Sequence, residues 1–287
     1  RLYPEQHYVD NFKKGAAYII GTRYESDDFT PYIYKTEDYG TSWKLVTNGI
    51  NKMHFTRTMR ADRKRSGLLY AGTEFGMYIS YDDGSNWRKF QLNLPVVPIT
   101  DLTIKNNDLV VATQGRAFWI IDDLTVVQQN ETSVTGKKLH LFPTNPAWRI
   151  PGVDPRFASF MRTPVNAGAN PSNGAVINYY ASEVTDTTKA SIIIMDKNKS
   201  VIKTFSTDSK DNKLDIVKGM NQFNWNLQYP PAETVDGMIL WNGNPGGITA
   251  PPGAYYYRVK VGHDSAENNF TVVADPNYKC SQQDYEA

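Results

Sequence analysis

The sequence predicts an all-β chain, β-propeller blades (a partial propeller) followed by an immunoglobulin-like β-sandwich, and three observations carry that expectation. The first is a repeated turn. Tyr34 to Trp43 reads Tyr-Lys-Thr-Glu-Asp-Tyr-Gly-Thr-Ser-Trp, and Tyr78 to Trp87 reads Tyr-Ile-Ser-Tyr-Asp-Asp-Gly-Ser-Asn-Trp. Each copy has a hydroxyl residue (Thr36, Ser80), then an aspartate (Asp38, Asp82), a glycine (Gly40, Gly84) and a tryptophan (Trp43, Trp87) at matching offsets. The second is a weaker third copy: Asp108 to Asp123 aligns without a gap on Leu68 to Asp83, pairing Thr113 with Thr73, Phe118 with Tyr78 and Asp122 with Asp82. The third is a series of short β-branched and aromatic runs in the second half of the chain, where seven strands would make a two-sheet sandwich.

The repeated turn has a physical reading. Its aspartate accepts hydrogen bonds from turn backbone, its glycine takes a conformation costly for other residues, and its tryptophan folds back into the core. A repeat of roughly 40 to 45 residues built from short strands is the mark of a propeller blade.

In blade one, Ala16 to Thr22, Pro31 to Thr36 and Trp43 to Val46 read as strands, and Arg23 to Thr30 forms a loop longer than its counterpart Thr73-Glu74-Phe75. In blade two the strands are Met53 to Met59, Leu68 to Gly72, Gly76 to Ser80 and Trp87 to Phe90; in blade three they are Ile99 to Lys105, Asp108 to Ala112, Ala117 to Ile121 and Thr125 to Gln128. No helical periodicity is expected anywhere. The third turn, Asp123-Leu124-Thr125, has lost both glycine and tryptophan.

The blades occupy 1–128. From 129 to 173 the composition shifts to Pro, Asn, Thr and Gly, which reads as an extended connector with Leu139 to Phe142 as an edge strand. The sandwich, 174–276, contains runs at Ala175 to Tyr180, Ser191 to Met195, Val201 to Phe205, Lys213 to Ile216, Gln222 to Leu227, Ala254 to Val261 and Asn269 to Val273, and is expected to fold alone. Asp196-Lys197-Asn198-Lys199 supplies a hairpin turn, and 277–287 is a polar tail.

Composition narrows the function classes. The 287 residues are 40% hydrophobic, and 31 Lys plus Arg stand against 30 Asp plus Glu, with no basic cluster longer than Arg63-Lys64-Arg65, so neither nucleic acid nor an anionic membrane is an expected partner. The single Cys280 forms no intrachain disulfide, and His7, His54, His140 and His263 lack zinc-ligand spacing; no metal and no cofactor is expected. No apolar run reaches the roughly 20 residues of a membrane span. Arg1-Leu2-Tyr3-Pro4 is neither an initiator methionine nor a signal peptide, and propellers close with about four to eight blades, so a piece of a longer protein is expected.

At the two turns, and further at Gly67 to Tyr78 and Asp108 to Leu124, the chain resembles the large bacterial sortilin-like proteins built from Asp-box (BNR) propellers, often labelled glycosyl hydrolases. The resemblance covers about residues 15 to 128. It implies export to the cell envelope, the outer-membrane surface or beyond, many more blades than three, and a β-sandwich after the propeller. It delivers no catalytic residue: neither the arginine cluster, acid and tyrosine of sialidases nor the separated aspartates of xyloglucanases can be placed on this sequence. In that geometry the Asp-box residues are structural, away from the face where propellers bind substrates.

Candidate functional residues follow from blade stringing. Loops joining the second strand of a blade to the third share one face, which collects Arg23, Glu25, Asp27, Glu74, Gln114 and Arg116, donors and acceptors suited to a polar ligand. The plainer reading of Glu74, Gln114 and Arg116 is that they cap turns and bind each other. Asp38 and Asp82 as a glycosidase carboxylate pair, and Glu25, Asp27 and Asp28 as a cation site, are set against a turn role and a solvated loop. Trp225, Trp241, Tyr229 and Tyr255 to Tyr257 offer either a carbohydrate platform or sandwich core. Two functions are expected: a non-catalytic binding or scaffolding portion recognising a protein or glycan partner, the missing upstream blades included, or the C-terminal part of a glycoside hydrolase whose catalytic residues lie on upstream blades.

Overall fold

A computed structural model describes residues 3–134, 136–150, 168, 173–235, 237–239, 246–277 and 279–286. The chain is all-β with few helices, and it divides into two compact units, Arg1–Gln128 and Gln129–Ala287.

The first unit is propeller-like, a succession of antiparallel meanders. One sheet runs β1 (Tyr3–Val9), β2 (Ala17–Arg23), β3 (Asp28–Thr36), β4 (Lys44–Leu45), and the next runs β5 (Thr56–Ala61), β6 (Leu69–Thr73), β7 (Gly76–Ser80), β8 (Arg88–Lys89). The third contains β9 (Ile99–Lys105), β10 (Asp108–Thr113) and β11 (Phe118–Ile121), in the order β11-β10-β9. Sheet two is the filling of the stack, because every residue of β6 and β7 is buried. On one side Leu69, Ala71, Tyr78 and Trp87 pack with Tyr18, Ile20, Ile33 and Val46 of sheet one. On the other, Leu68, Tyr70, Met77 and Ile79 pack with Ile99, Leu102, Leu109 and Val111 of sheet three. The period-two alternation of these strands therefore serves two cores at once.

Three expectations are corrected here. Blade one has an innermost strand, β1, that the sequence reading left out. It ends in an Asp10-x4-Gly15-x2-Tyr18 segment matching Asp62-x4-Gly67-x2-Tyr70 after β5. Asp10 Oδ1 accepts the Phe12 and Lys13 amides at 2.7 and 3.0 Å, and Asp62 Oδ1 accepts those of Lys64 and Arg65 at 2.7 and 2.8 Å. Tyr70 donates to the Asp62 carboxylate, whereas the Tyr18 hydroxyl, 3.4 Å from Asp10, donates to Asp83 of blade two. Second, Thr125 to Gln128 is not a strand but the start of helix α1 (Thr125–Ser133). Without glycine and tryptophan the third turn keeps only its first half: Asp123 has φ 57°, like Asp83 at 64°, and its carboxylate caps the Thr125 amide at 3.0 Å while Leu124 is buried beneath. Third, Arg23 to Thr30 is a short hairpin tip, the 3-10 turn Tyr24–Ser26 closed by Asp27 at φ 58°.

The second unit has two sheets around one core. The smaller is β12 (Leu139–Leu141), β14 (Ala175–Ala181), β17 (Gly219–Trp225). The larger runs β13 (Ala147–Arg149), β19 (Asp264–Ala274), β18 (Gly253–Val261), β15 (Ala190–Met195), β16 (Val201–Ser206), with β13 parallel to β19. Ile177, Tyr179 and Trp225 from the first meet Ile192, Tyr257, Val259 and Phe270 from the second. Tyr255, Tyr257 and Val259 are buried while Arg258 and Lys260 are exposed, as alternation requires. Asp196 turns the β15–β16 hairpin, accepting the Asn198 and Ser200 amides at 2.8 Å. Lys213 to Ile216 reduces to a single bridge, Ser206 to Lys213, and the polar tail ends in helix α2 (Gln282–Glu286). Most of the proline-rich stretch, including Pro151, Pro155, Pro164 and Pro171, lies outside the described residues.

Candidate functional site

The loops β6–β7 and β10–β11 are tied to their blades in a common way. Glu74 N–H donates to Phe55 O at 3.1 Å and Gln114 N–H to Pro98 O at 2.9 Å, each acceptor being the residue just before its blade's inner strand. Loops and inter-blade connections thus share an end of the strands, and the repeated turns, at the far ends of β3 and β7, lie at the other.

At that loop end, Glu74 pairs with Arg57 at 2.5 Å, not with Arg116. The Arg57 guanidinium lies 5.1 Å from the Phe55 ring and 6.0 Å from Tyr24, within cation–π range. Tyr24 stacks on Phe55 at 5.1 Å, Phe29 lies 6.2 Å from Phe55, and Phe75 lies 4.8 Å from His54. Phe55 is buried, whereas Tyr24, Phe29 and Phe75 are exposed. Burial and then the nearby Lys89 charge hold the His54 imidazole below its ordinary range.

Of the predicted residues, Glu74 therefore joins an aromatic surface, with Glu25 and Asp27 exposed on the hairpin that supplies Tyr24. Arg23 turns to Asp28 at 3.2 Å. Asp28 also accepts the Tyr32 hydroxyl at 2.7 Å and the Thr30 amide at 3.1 Å, so its carboxylate belongs to the hairpin. Gln114 and Arg116 are exposed in the third loop, where Arg116 Nη1 donates to Gly115 O at 2.9 Å. The residues that sequence reasoning missed, Arg57, Phe55, Tyr24, Phe29 and Phe75, are cation and apolar rings where polar groups were sought.

No family model matches the chain, and no curated protein matches it. Among solved structures it is similar to an ancestral GH74 enzyme, at 18% identity over 40% of this chain and 14% of that one, TM-score 0.32. It is also similar to the GH74 xyloglucanase from Xanthomonas campestris, at 10% identity over 92% of this chain and 38% of that one, TM-score 0.32. A third is the extracellular domain assigned to a hybrid two component system from B. thetaiotaomicron, at 11% identity over 95% of this chain and 31% of that one, TM-score 0.31. The chain spans 14% to 38% of the length of these three. Likenesses this faint say nothing about activity.

The repeated turns close on themselves. Thr36 Oγ1 donates to Asp38 Oδ1 at 2.8 Å and accepts the Gly40 amide at 2.9 Å, and Asp38 accepts the Ser42 amide at 2.8 Å and hydroxyl at 2.6 Å. Ser80, Asp82, Gly84 and Asn86 repeat the pattern at 2.9, 2.9, 2.8 and 2.7 Å. Gly40 and Gly84 have φ of 87° and 85°, which a side chain would strain. Each aspartate is engaged within its own turn. The tryptophans diverge, which corrects the expectation for one of them: Trp87 is 5% exposed and donates Nε1 to Val46 O of blade one at 2.8 Å, whereas Trp43 is 39% exposed and donates to Gly40 O of its own turn at 3.1 Å.

The Ser42 hydroxyl first, then the Ser42 amide and the Thr36 hydroxyl, hold the Asp38 carboxyl down to about 2. A depressed folded-state pKa stabilises the turn above the ordinary aspartate range near about 4, and that contribution is lost as pH falls through about 2. Carboxyl-carbon NMR should therefore find the Asp38 midpoint near about 2, rising toward the ordinary value in Thr36→Val. A wild-type midpoint near about 4 would contradict this account of the turn.

In the second unit, Trp225, Tyr255 and Tyr257 are core, so they form no platform. Trp225 is 0% exposed and donates Nε1 to Gln228 O at 3.2 Å. Tyr229 and Tyr256 are half-buried, and Trp241 lies outside the described residues.

Proposed function

We propose that this chain is a non-catalytic binding or scaffolding portion of an exported, sortilin-like Asp-box propeller protein, followed by an immunoglobulin-like sandwich. Its partner, a protein segment or a glycan, meets the loops β2–β3, β6–β7 and β10–β11. The observation that carries this reading is the loop-end surface itself. Exposed Tyr24, Phe29 and Phe75 surround the Arg57–Glu74 pair, and apolar rings beside a fixed charge pair offer both contact area and directional hydrogen bonds. Gln114 and Arg116 extend the polar part. The repeat pattern supports the Asp-box assignment.

The test is binding of the full chain to peptide and oligosaccharide arrays, with Glu74→Ala and Arg116→Ala as variants. Each substitution should weaken binding roughly tenfold or more. The melting temperature should fall by only a few degrees, because Glu74 and Arg57 both keep about a quarter of their side-chain surface in water and Arg116 is exposed and bonds to its neighbour's carbonyl. Unchanged binding in both variants would refute the assignment. Turnover of any bound oligosaccharide by this chain would favour the alternative, part of a glycoside hydrolase.

A further inference from the structure

The second unit holds a cleft at the end where β13 stops, β14 begins and β17 stops. Its volume is about 280 Å³, close to the lower limit of roughly 300 Å³ for clefts that hold small ligands. One wall is backbone laid closely on backbone. Gly174 has φ 124°, and a Cβ there would lie 2.1 Å from Trp225 O. Beside it the Asn224 amide donates to Asn173 O at 3.0 Å. On the other flank Gln228 bridges Thr249, and Asn226 Oδ1 accepts the Gln228 amide at 3.2 Å.

The lining has a distinct chemistry. Trp148, 50% exposed on an edge strand, is joined by Asn173, Asn226, Gln228 and Thr249, whose side chains both donate and accept hydrogen bonds. Sugar hydroxyls also do both, and an indole offers an amphipathic surface for the apolar face of a pyranose ring. No carboxylate lines the cleft among the described residues, so nothing there selects a cation. The one charged lining residue is Arg149, whose guanidinium lies 4.8 Å from the Tyr285 ring.

We infer that this cleft is a second binding site, on the sandwich rather than the blades, and that it takes a neutral oligosaccharide. One sugar ring rests on Trp148, and its hydroxyls engage the side-chain amides of Asn226 and Gln228. This site differs from the loop surface of the blades in position and in lacking a charge pair, so each can fail without the other.

The experiment is calorimetric titration of the full chain with cellohexaose, mannohexaose and xylohexaose, and with a galacturonic acid hexamer as the anionic counterpart. At least one neutral hexamer should bind. Trp148→Ala should weaken that binding at least tenfold and Gln228→Ala several-fold, with melting temperatures close to wild type, and by the same factors in a Glu74→Ala background, where any binding at the loop surface is already weakened. Should Trp148→Ala fold poorly, Gln228→Ala and Asn226→Ala carry the same expectation. The inference is overturned if no neutral hexamer binds, if the galacturonic acid hexamer binds more tightly, or if binding survives the cleft variants and is lost in Glu74→Ala.

Discussion

Trp87→Ala is expected to lower the melting temperature of the first unit by on the order of 10 °C, the signature of losing roughly 3–5 kcal/mol. The indole is buried among Tyr18, Ile20, Val46, Ile50, Met59 and Tyr78, residues drawn from blades one and two and the chain between them. Its removal opens a cavity at the junction and leaves Val46 O without its donor, so transfer, cavity and hydrogen-bond losses act together. Trp43→Ala removes the residue at the same place in the repeat and should cost far less, since that ring is largely outside the core and bonds only to its own turn. Chemical denaturation of both variants decides the matter. Equal losses would mean that the repeat position, not burial, sets the energetics.

Gly49→Ala should be comparably damaging although it adds a single methyl group. Gly49 has φ 94°, and a Cβ built on it would lie 2.1 Å from the Trp87 carbonyl oxygen and 3.1 Å from its nitrogen. That nitrogen donates to Asn48 O at 2.8 Å, so the connection between blades one and two is laid directly on the second repeated turn. Alanine there combines left-handed backbone, about 1–2 kcal/mol, with overpacking of typically 1–3 kcal/mol against atoms that cannot rotate away. A loss of at least about 2 kcal/mol in urea denaturation is expected. Gly115→Ala, with φ 78° but nothing within 4 Å, isolates the conformational part and should lose less. If the two variants lose the same amount, steric contact with Trp87 is not what Gly49 protects.

How much of this was legible depended on whether the information was local. The repeated turns could be read because Thr36, Asp38, Gly40 and Ser42 satisfy one another within seven residues, and the same holds for Ser80 to Asn86. Strand β1 was legible in principle. The Asp10, Gly15, Tyr18 pattern matches Asp62, Gly67, Tyr70, but the longer β2–β3 hairpin puts it out of step with the turn repeat that supplied the register. Helix α1 was hidden because Thr125-Val126-Val127 is β-branched, and what decides its conformation is a cap from Asp123 and a buried Leu124. The candidate site was half legible. Glu74 could be placed by alignment, but its partner Arg57 lies on a different strand, and no spacing rule links residues brought together by pairing of β5 with β6. The fates of Trp43 and Trp87 were not legible at all, since the motifs match and only the neighbouring blade differs.

The decay of the third turn reaches beyond blade three's own shape. With α1 in place of a fourth strand, β11 pairs only with β10 among the described residues, and its other side presents backbone N–H and C=O groups along an edge. Phe118, 74% exposed, and Ile120 stand on the open face of that same strand. An unguarded strand of this kind is a template onto which another extended segment can add, and it carries neither lysine nor proline to discourage it. In concentrated solution, self-association of this protein is therefore expected to proceed by strand addition at β11.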